Sequence, residues 1–307
     1  MNQVIDLFTR RGASAGADPL PGFLAGFSIE VMPKTAAKIG DFGAILPAGT
    51  RVYVAHIDGT PIADMVATAR RLTEAGMDPM PHLPARSIPS AAALEDWLRR
   101  YRDEAGASQA LLLAGGRRTP AGPFDNSMQL LETGAPDRFG FRRLHVAGHP
   151  EGNRDVDPAG GERNAMDALA WKQAVAERTD AEMAIATQFL FEAAPAVAWA
   201  RRLREAGVRL PVHVGVAGPA KLQTLIKYAM MCGVGPSVRV LQRRAADVTK
   251  LMTPFTPETL LRGIAAEVAA DPTLPIASAH FFPLGGIART AEFVAAHRAR
   301  AARVAAG

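Results

Sequence analysis

The sequence predicts an α/β fold: a single (β/α)8 TIM barrel with an extra N-terminal helix. Three observations lead there. Eight short apolar runs alternate with amphipathic stretches along 307 residues. The runs are bounded by Gly and Pro, as buried parallel strands are. The length suits one barrel of roughly 250 residues plus a loop or two. An open doubly wound sheet is the main alternative. It usually carries a Gly-rich turn after its first strand, and here that strand ends in Met32-Pro33-Lys34. No internal repeat or low-complexity linker divides the chain, so residues 1–307 read as one domain.

Taken in order, residues 2–12 place Val4, Ile5 and Phe8 on one helical face. The first strand is expected at about 24–32 and a helix at about 35–46. The second strand is Arg51 to His56. Asp58-Gly59-Thr60-Pro61 then turns into a helix over 61–75, with Ile62, Met65, Val66 and Ala69 at helical spacing. Residues 77–83 form a proline-interrupted third strand. Ser90 is placed to cap a helix running to about 105, with Leu94, Trp97 and Leu98 inward. Strands four to seven fall at 110–113, 143–147, 183–189 and 212–216. Their helices fall at 127–133, up to 178, 194–206 and 220–231, with further helical turns to about 251. A helix near 257–270 precedes the eighth strand, 276–282, and a last helix spans 287–304.

Composition narrows the function classes. A chain that is 48% hydrophobic and 21% charged is ordinary for a globular protein. The net charge is +5 and the basic residues are scattered. No basic stripe interleaves with aromatics, so nucleic acid is not expected as a partner. A modest positive field suits an anionic small molecule. The single cysteine, Cys232, forms no intramolecular disulfide and no cysteine metal cluster, and it reads as a small buried hydrophobe. There is no secretory signal pattern and no run of about 18 apolar residues, so the expectation is a cytoplasmic protein without a membrane partner. Oligomerisation is left open.

In a (β/α)8 barrel, function sits at the C-terminal ends of the strands. Those ends carry Glu30, His56, His82, Gly115-Gly116, His149-Pro150-Glu151, Thr187-Gln188 and His280. Glu30 lies among apolar neighbours in Phe27-Ser28-Ile29-Glu30-Val31. Desolvation there would raise its pKa towards that of a general acid. A structural carboxylate satisfied by backbone donors is the plainer reading. Gly115-Gly116 leaves room for a flat ring or a phosphate, or makes a simple turn. The histidines lack the paired spacing of a metal site, and no metal is expected. No G-x-S-x-G marks a nucleophile.

Four stretches together resemble the methylenetetrahydrofolate reductase family: Phe27-Ser28-Ile29-Glu30 with Pro33-Lys34, His149-Pro150-Glu151, Thr187-Gln188-Phe189-Leu190-Phe191, and His280-Phe281-Phe282-Pro283-Leu284. They follow the family's order over roughly residues 24–290. The resemblance implies a (β/α)8 barrel. It also implies that 5,10-methylenetetrahydrofolate and 5-methyltetrahydrofolate are interconverted with NADH or NADPH, normally through FAD. It makes Glu30 the acid that protonates the folate at N5 as its five-membered ring opens, and Gln188 the residue that holds the pterin. Thr187, Phe189, Leu222 and His280 join it around the folate. The cofactor side falls to His56, His82, Gly115, Gly116, His149, Asn153, Asp167 and Lys172.

The departures from the family pattern gather on the flavin. The usual Arg-Gly-Asp after strand four reads Ala114-Gly115-Gly116, and the threonine at the end of strand two is Ala55. The usual histidine is Asn153, and helix contacts become Ala170, Gln173 and Ala174. The tyrosine beside the flavin is His149, the aromatic that stacks on folate is Leu222, and the arginine after strand eight is Gly286. Each lost charge-assisted bond is worth roughly 1.5–3 kcal/mol. The expectation is therefore weak or absent FAD, with hydride passing directly between nicotinamide and folate. The alternatives are a conventional FAD-dependent reductase with a rearranged pocket, and a non-redox folate-binding barrel that takes part in methyl transfer.

Overall fold

A computed structural model describes residues 18–231, 240–242 and 254–304. Eight parallel strands close into a barrel in sequence order: β1 Ser28–Val31, β2 Arg51–Val54, β3 Asp78–Pro84, β4 Gln109–Leu113, β5 Arg143–Gly148, β6 Glu182–Leu190, β7 Val212–Ala217 and β8 Ile276–Phe282. Closure is made by β1 against β8, with Ser28 opposite His280. The helices are α1 Leu20–Phe23, α2 Pro33–Ala36, α3 Ile62–Glu74, α4 Ala91–Ala105, α5 Ser127–Glu132, α6 Ala135–Arg138, α7 Arg163–Ala176, α8 Ala193–Glu205, α9 Leu222–Met231, α10 Glu258–Ala270 and α11 Ile287–Val304.

Strand alternation separates two cores. Ile29, Val31, Val52, Val54, Ile185, Val212, Val214 and Phe281 point outward and join the helices in one apolar layer. The helices present matching stripes, such as Met65, Val66, Ala69 and Leu72 on α3. Among the described residues, Tyr53, Met80, Leu111 and Ala186 form the apolar cluster on the inside, with Leu113 packed against it. Most of the other inward positions are polar, which is unusual for a packed barrel interior.

Local chemistry fixes the element ends. Ser90 Oγ accepts the Ala93 N–H at the start of α4, and Gly106 closes that helix at φ +64°. β3 pairs with β2 over Asp78–Pro81 and with β4 only from His82 onward. Pro79 and Pro81 have no N–H to give, and the strand changes partners there.

The expected helix at 35–46 is a single turn, Pro33–Ala36, followed by an irregular segment. Gly40, Gly43 and Pro47 break the apolar pattern that suggested more. The first strand begins at Ser28 and not at 24, because Leu20–Phe23 is helical. The expected helix at 2–12, most of the turns expected beyond 231, and Cys232 lie outside the described residues. Among the described residues, no helix is long and apolar enough to cross a membrane.

The pairing of β6 with β7 shifts register between Ala186 and Phe189. Thr187 sits in the shift. Its hydroxyl accepts from Gly215 N at 2.8 Å and donates to Gln188 O at 2.9 Å. A Cβ on Gly215 would lie 2.3 Å from Thr187 O, so the close approach needs glycine. Gly215→Ala is expected to lower unfolding free energy by about 3 kcal/mol through overpacking. Urea unfolding checks this, and a change under about 1 kcal/mol would show that the shift relaxes freely.

Candidate active site

Glu30 points inward from β1, in register with Tyr53 on β2. Its Oε2 lies 3.3 Å from His82 Nε2 and 3.9 Å from His280 Nε2. Burial pushes its carboxyl up, but His280 and His82 more than offset this and hold it at about 2. This corrects the sequence expectation. Desolvation is present, but two imidazoles, unseen as neighbours in the sequence, reverse its effect. Glu30 is an ionised carboxylate across the neutral range and not a poised acid.

Below it runs a chain of polar contacts. Ser28 Oγ hydrogen-bonds His280 Nδ1 at 2.9 Å. The Tyr53 ring packs 4.1 Å from that of His280. Burial raises the Tyr53 phenol pKa, so it stays protonated and donates to His145 Nδ1. The His145 and His213 rings lie 4.7 Å apart, and His213 Nδ1 meets Ser278 Oγ at 2.7 Å. Burial lowers His145 well below its ordinary value and His213 to about 3. Both are neutral at pH 7.

Sequence reasoning missed Ser28, Tyr53, His145, His213 and Ser278 as a group. The signal was alternation: Val52-Tyr53-Val54, Leu144-His145-Val146 and Val212-His213-Val214 each set one polar residue between two outward apolar ones.

The other candidates divide. Gln188 follows the register shift, and its Oε1 accepts Phe189 N at 3.0 Å. Its amide N–H groups make no hydrogen bond among the described residues. It lines a cavity of about 300 Å³ with His149, Asn153, Asp155 and Phe189. Thr187 is buried and its hydroxyl is spent on backbone, so it shapes the strand and does not face a ligand. Leu222 packs with Phe191, Leu225 and Phe255 in a buried cluster and is not a stacking surface. His280 is 1% exposed and acts through Glu30. His56 is turned away, with Nε2 on Thr60 O at 3.0 Å and its ring against Trp97. Asp167 is exposed and lines neither cavity. A Cβ on Gly115 (φ +92°) would meet Pro84 at 2.8 Å, so its glycine serves that contact, while Gly116 has open space around it.

A second cavity, about 250 Å³, is lined by Arg86, His149, Asp155, Leu169, Lys172 and Trp199 among others. Asn153 Nδ2 lies 3.3 Å from His149 Nε2, and burial, then Lys172, hold that imidazole down to about 4. Lys172 is 7% exposed and makes no hydrogen bond or ion pair among the described residues. Burial lowers it to about 8. Arg86, also missed in the sequence, is bound by Asp125 at 2.8 Å and Asp155 at 2.7 Å.

The two cavities share His149 and Asp155. Among the described residues the cations lining them are Arg154 in the first cavity and Arg86 and Lys172 in the second, and of these Arg86 is paired with Asp125 and Asp155. No group of His, Cys, Asp and Glu among the described residues could hold a metal ion.

No family model matches the chain. A solved structure from Burkholderia cenocepacia J2315, named provisionally as a lyase/mutase, is similar over 93% of this chain and 89% of that one. The identity is 12% and the TM-score 0.46. That likeness assigns neither a reaction nor a ligand to this chain.

Two outcomes are expected. Neutral buried histidines take up protons only on unfolding, so between pH 6.5 and about 3 the unfolded state binds more protons. Stability is then full above 6.5 and falls with pH. Thermal unfolding from pH 7 to 4 should show this, with His213→Asn flattening the slope by about one proton; an unchanged slope would refute the account. Lys172→Met should raise stability by about 3 kcal/mol, from a pKa lowered from 10.5 to about 8. Destabilisation in chemical unfolding would show that Lys172 has a partner in solution.

Proposed function

We propose that the barrel mouth binds a reduced folate. There it exchanges hydride between the folate and NADH or NADPH, interconverting 5,10-methylenetetrahydrofolate and 5-methyltetrahydrofolate without a resident flavin. The observation that carries this reading is Glu30, a carboxylate held ionised at the barrel mouth by two histidines. In the reductive direction the C–N10 bond breaks and the methylene stays on N5 as an iminium cation. Balance places the proton on N10, the nitrogen that leaves, and not on N5. Hydride from the dihydronicotinamide then adds to the methylene carbon. A fixed carboxylate beside the developing cation stabilises it without reorganisation.

Gln188 supports the reading from the next wall. With Oε1 already taken by Phe189 N, it offers amide N–H donors, which suit the acceptor atoms of a pterin. Lys172 is the residue that would meet an anionic group of the nucleotide, since its buried ammonium lacks a counter-charge. The neutral His149 imidazole lines both cavities.

The test is NAD(P)H oxidation with 5,10-methylenetetrahydrofolate by flavin-free protein. Turnover is expected in the wild type. Glu30→Gln should lower kcat by about 10²–10³, the size seen when a transition-state charge partner is removed. Gln188→Ala should mainly raise the folate KM. A wild-type protein that binds folate but exchanges no hydride would sink the redox assignment in favour of a non-redox folate barrel.

A further inference from the structure

The proposed ring opening needs a proton for N10, and Glu30 does not carry one at neutral pH. Three imidazoles surround it or lie close by, and their nitrogens differ. His280 has Nδ1 on Ser28 Oγ and Nε2 towards Glu30, and it is sealed from the mouth at 1% exposure. His56 has Nε2 on the Thr60 carbonyl, and its Nδ1 is buried.

His82 is arranged differently. Its Nε2 is buried 3.3 Å from Glu30 Oε2, close enough for an ion pair yet misaligned for a hydrogen bond. A carboxylate only accepts, so the nitrogen that faces it carries a hydrogen. The other nitrogen, Nδ1, makes no hydrogen bond among the described residues and is not among the sealed orphan atoms.

We propose, resting on the folate reading above, that His82 and not Glu30 carries the catalytic proton, with Glu30 as its fixed counter-charge. The division of labour is that of a carboxylate–histidine pair: the carboxylate orients the ring and stabilises its charged form, and the imidazole moves the proton. In the imidazolium, Nε2–H faces Glu30 and Nδ1–H is the one left to serve a substrate. As the C–N10 bond breaks, its electron pair takes the proton from Nδ1. The Nδ1–H bond is lost, N10–H forms, and His82 is left neutral with Nε2–H still towards Glu30. Solvent returns the proton. In the oxidative direction Nδ1 accepts it.

Four titratable groups lie around His82. Glu30 on β1 favours the charged ring. His280 on β8 and His56 after β2 would oppose it if charged, but both are pushed down by burial. Tyr53 presents an uncharged ring edge-on at 6.2 Å. One negative charge therefore acts on His82 without a cationic rival.

The test has a substrate-free arm and a kinetic arm. Ring ¹³C and ¹⁵N signals of labelled histidine are titrated in wild-type and Glu30→Gln protein, with His82 assigned from His82→Gln. The expected result is a His82 pKa that falls by about one unit or more when the carboxylate is removed. In turnover, His82→Gln should lose about 10²-fold or more in kcat with folate KM nearly unchanged. The pH-dependent limb of kcat that tracks the His82 titration should disappear. In His82→Ala, added imidazole should restore part of the rate, which no merely structural role predicts. Thermal unfolding confirms that the variants are folded. A His82 signal unmoved by Glu30→Gln, or a His82→Gln protein as active as wild type, overturns the assignment. Wild-type protein with no hydride exchange overturns the folate reading instead, while the ring titration still decides whether Glu30 charges His82.

Discussion

A carboxylate without solvent is tolerated only where something else answers its charge, and most of the barrel interior follows from how Glu30 is answered. His82 and His280 face the same oxygen. His280 is in turn held by Ser28, and the Tyr53 ring packs against it at a tilt of 48°. The Tyr53 hydroxyl needs a partner at that depth and finds His145. His145 stacks on His213, which needs Ser278. Each polar group brought inside requires the next, so the column ends only near Arg51 and Gln109, where the barrel opens at its other end. The apolar work of the fold is moved outward, to the layer between strands and helices.

This arrangement explains how the fold tolerates so polar an interior. Buried neutral histidines with partners are far less costly than buried charges. Burial keeps His145 and His213 neutral, and the ionised carboxylate of Glu30 sits at the mouth, where a ligand would meet it. The price is a fold whose strength depends on those rings staying uncharged.

The barrel itself was legible because it rests on local signals: two-residue alternation in strands, helical spacing, Ser90 as a cap, and Gly and Pro as boundaries. Where the reading failed locally, at 35–46, apolar spacing was outweighed by glycines and a proline in the same stretch. The site was legible by address and not by state. Glu30 and Gln188 could be placed at strand ends, since strand ends follow from the pattern. The state of Glu30 depends on His82 and His280, which are 52 and 250 residues away in the chain, and no local rule carries that information. Thr187 and Leu222 illustrate the same limit. Both stand in the right stretch, but a register shift consumes the hydroxyl of one and a phenylalanine-rich cluster encloses the other.

The two unusual charges of the chain are treated in opposite ways. Glu30 is surrounded by groups that favour its ionised form, whereas Lys172 has none among the described residues and is disfavoured by burial alone. A structural role would call for the same remedy in both cases, a partner. Lys172 instead lines a cavity, next to an imidazole that burial keeps neutral and an arginine already neutralised by two aspartates. A fold that answers one carboxylate with two histidines and leaves the Lys172 ammonium without a partner among the described residues has kept one available charge of each sign. In the proposed reaction those are the two charges needed: an anionic group of the nucleotide to be held, and a cationic carbon to be stabilised.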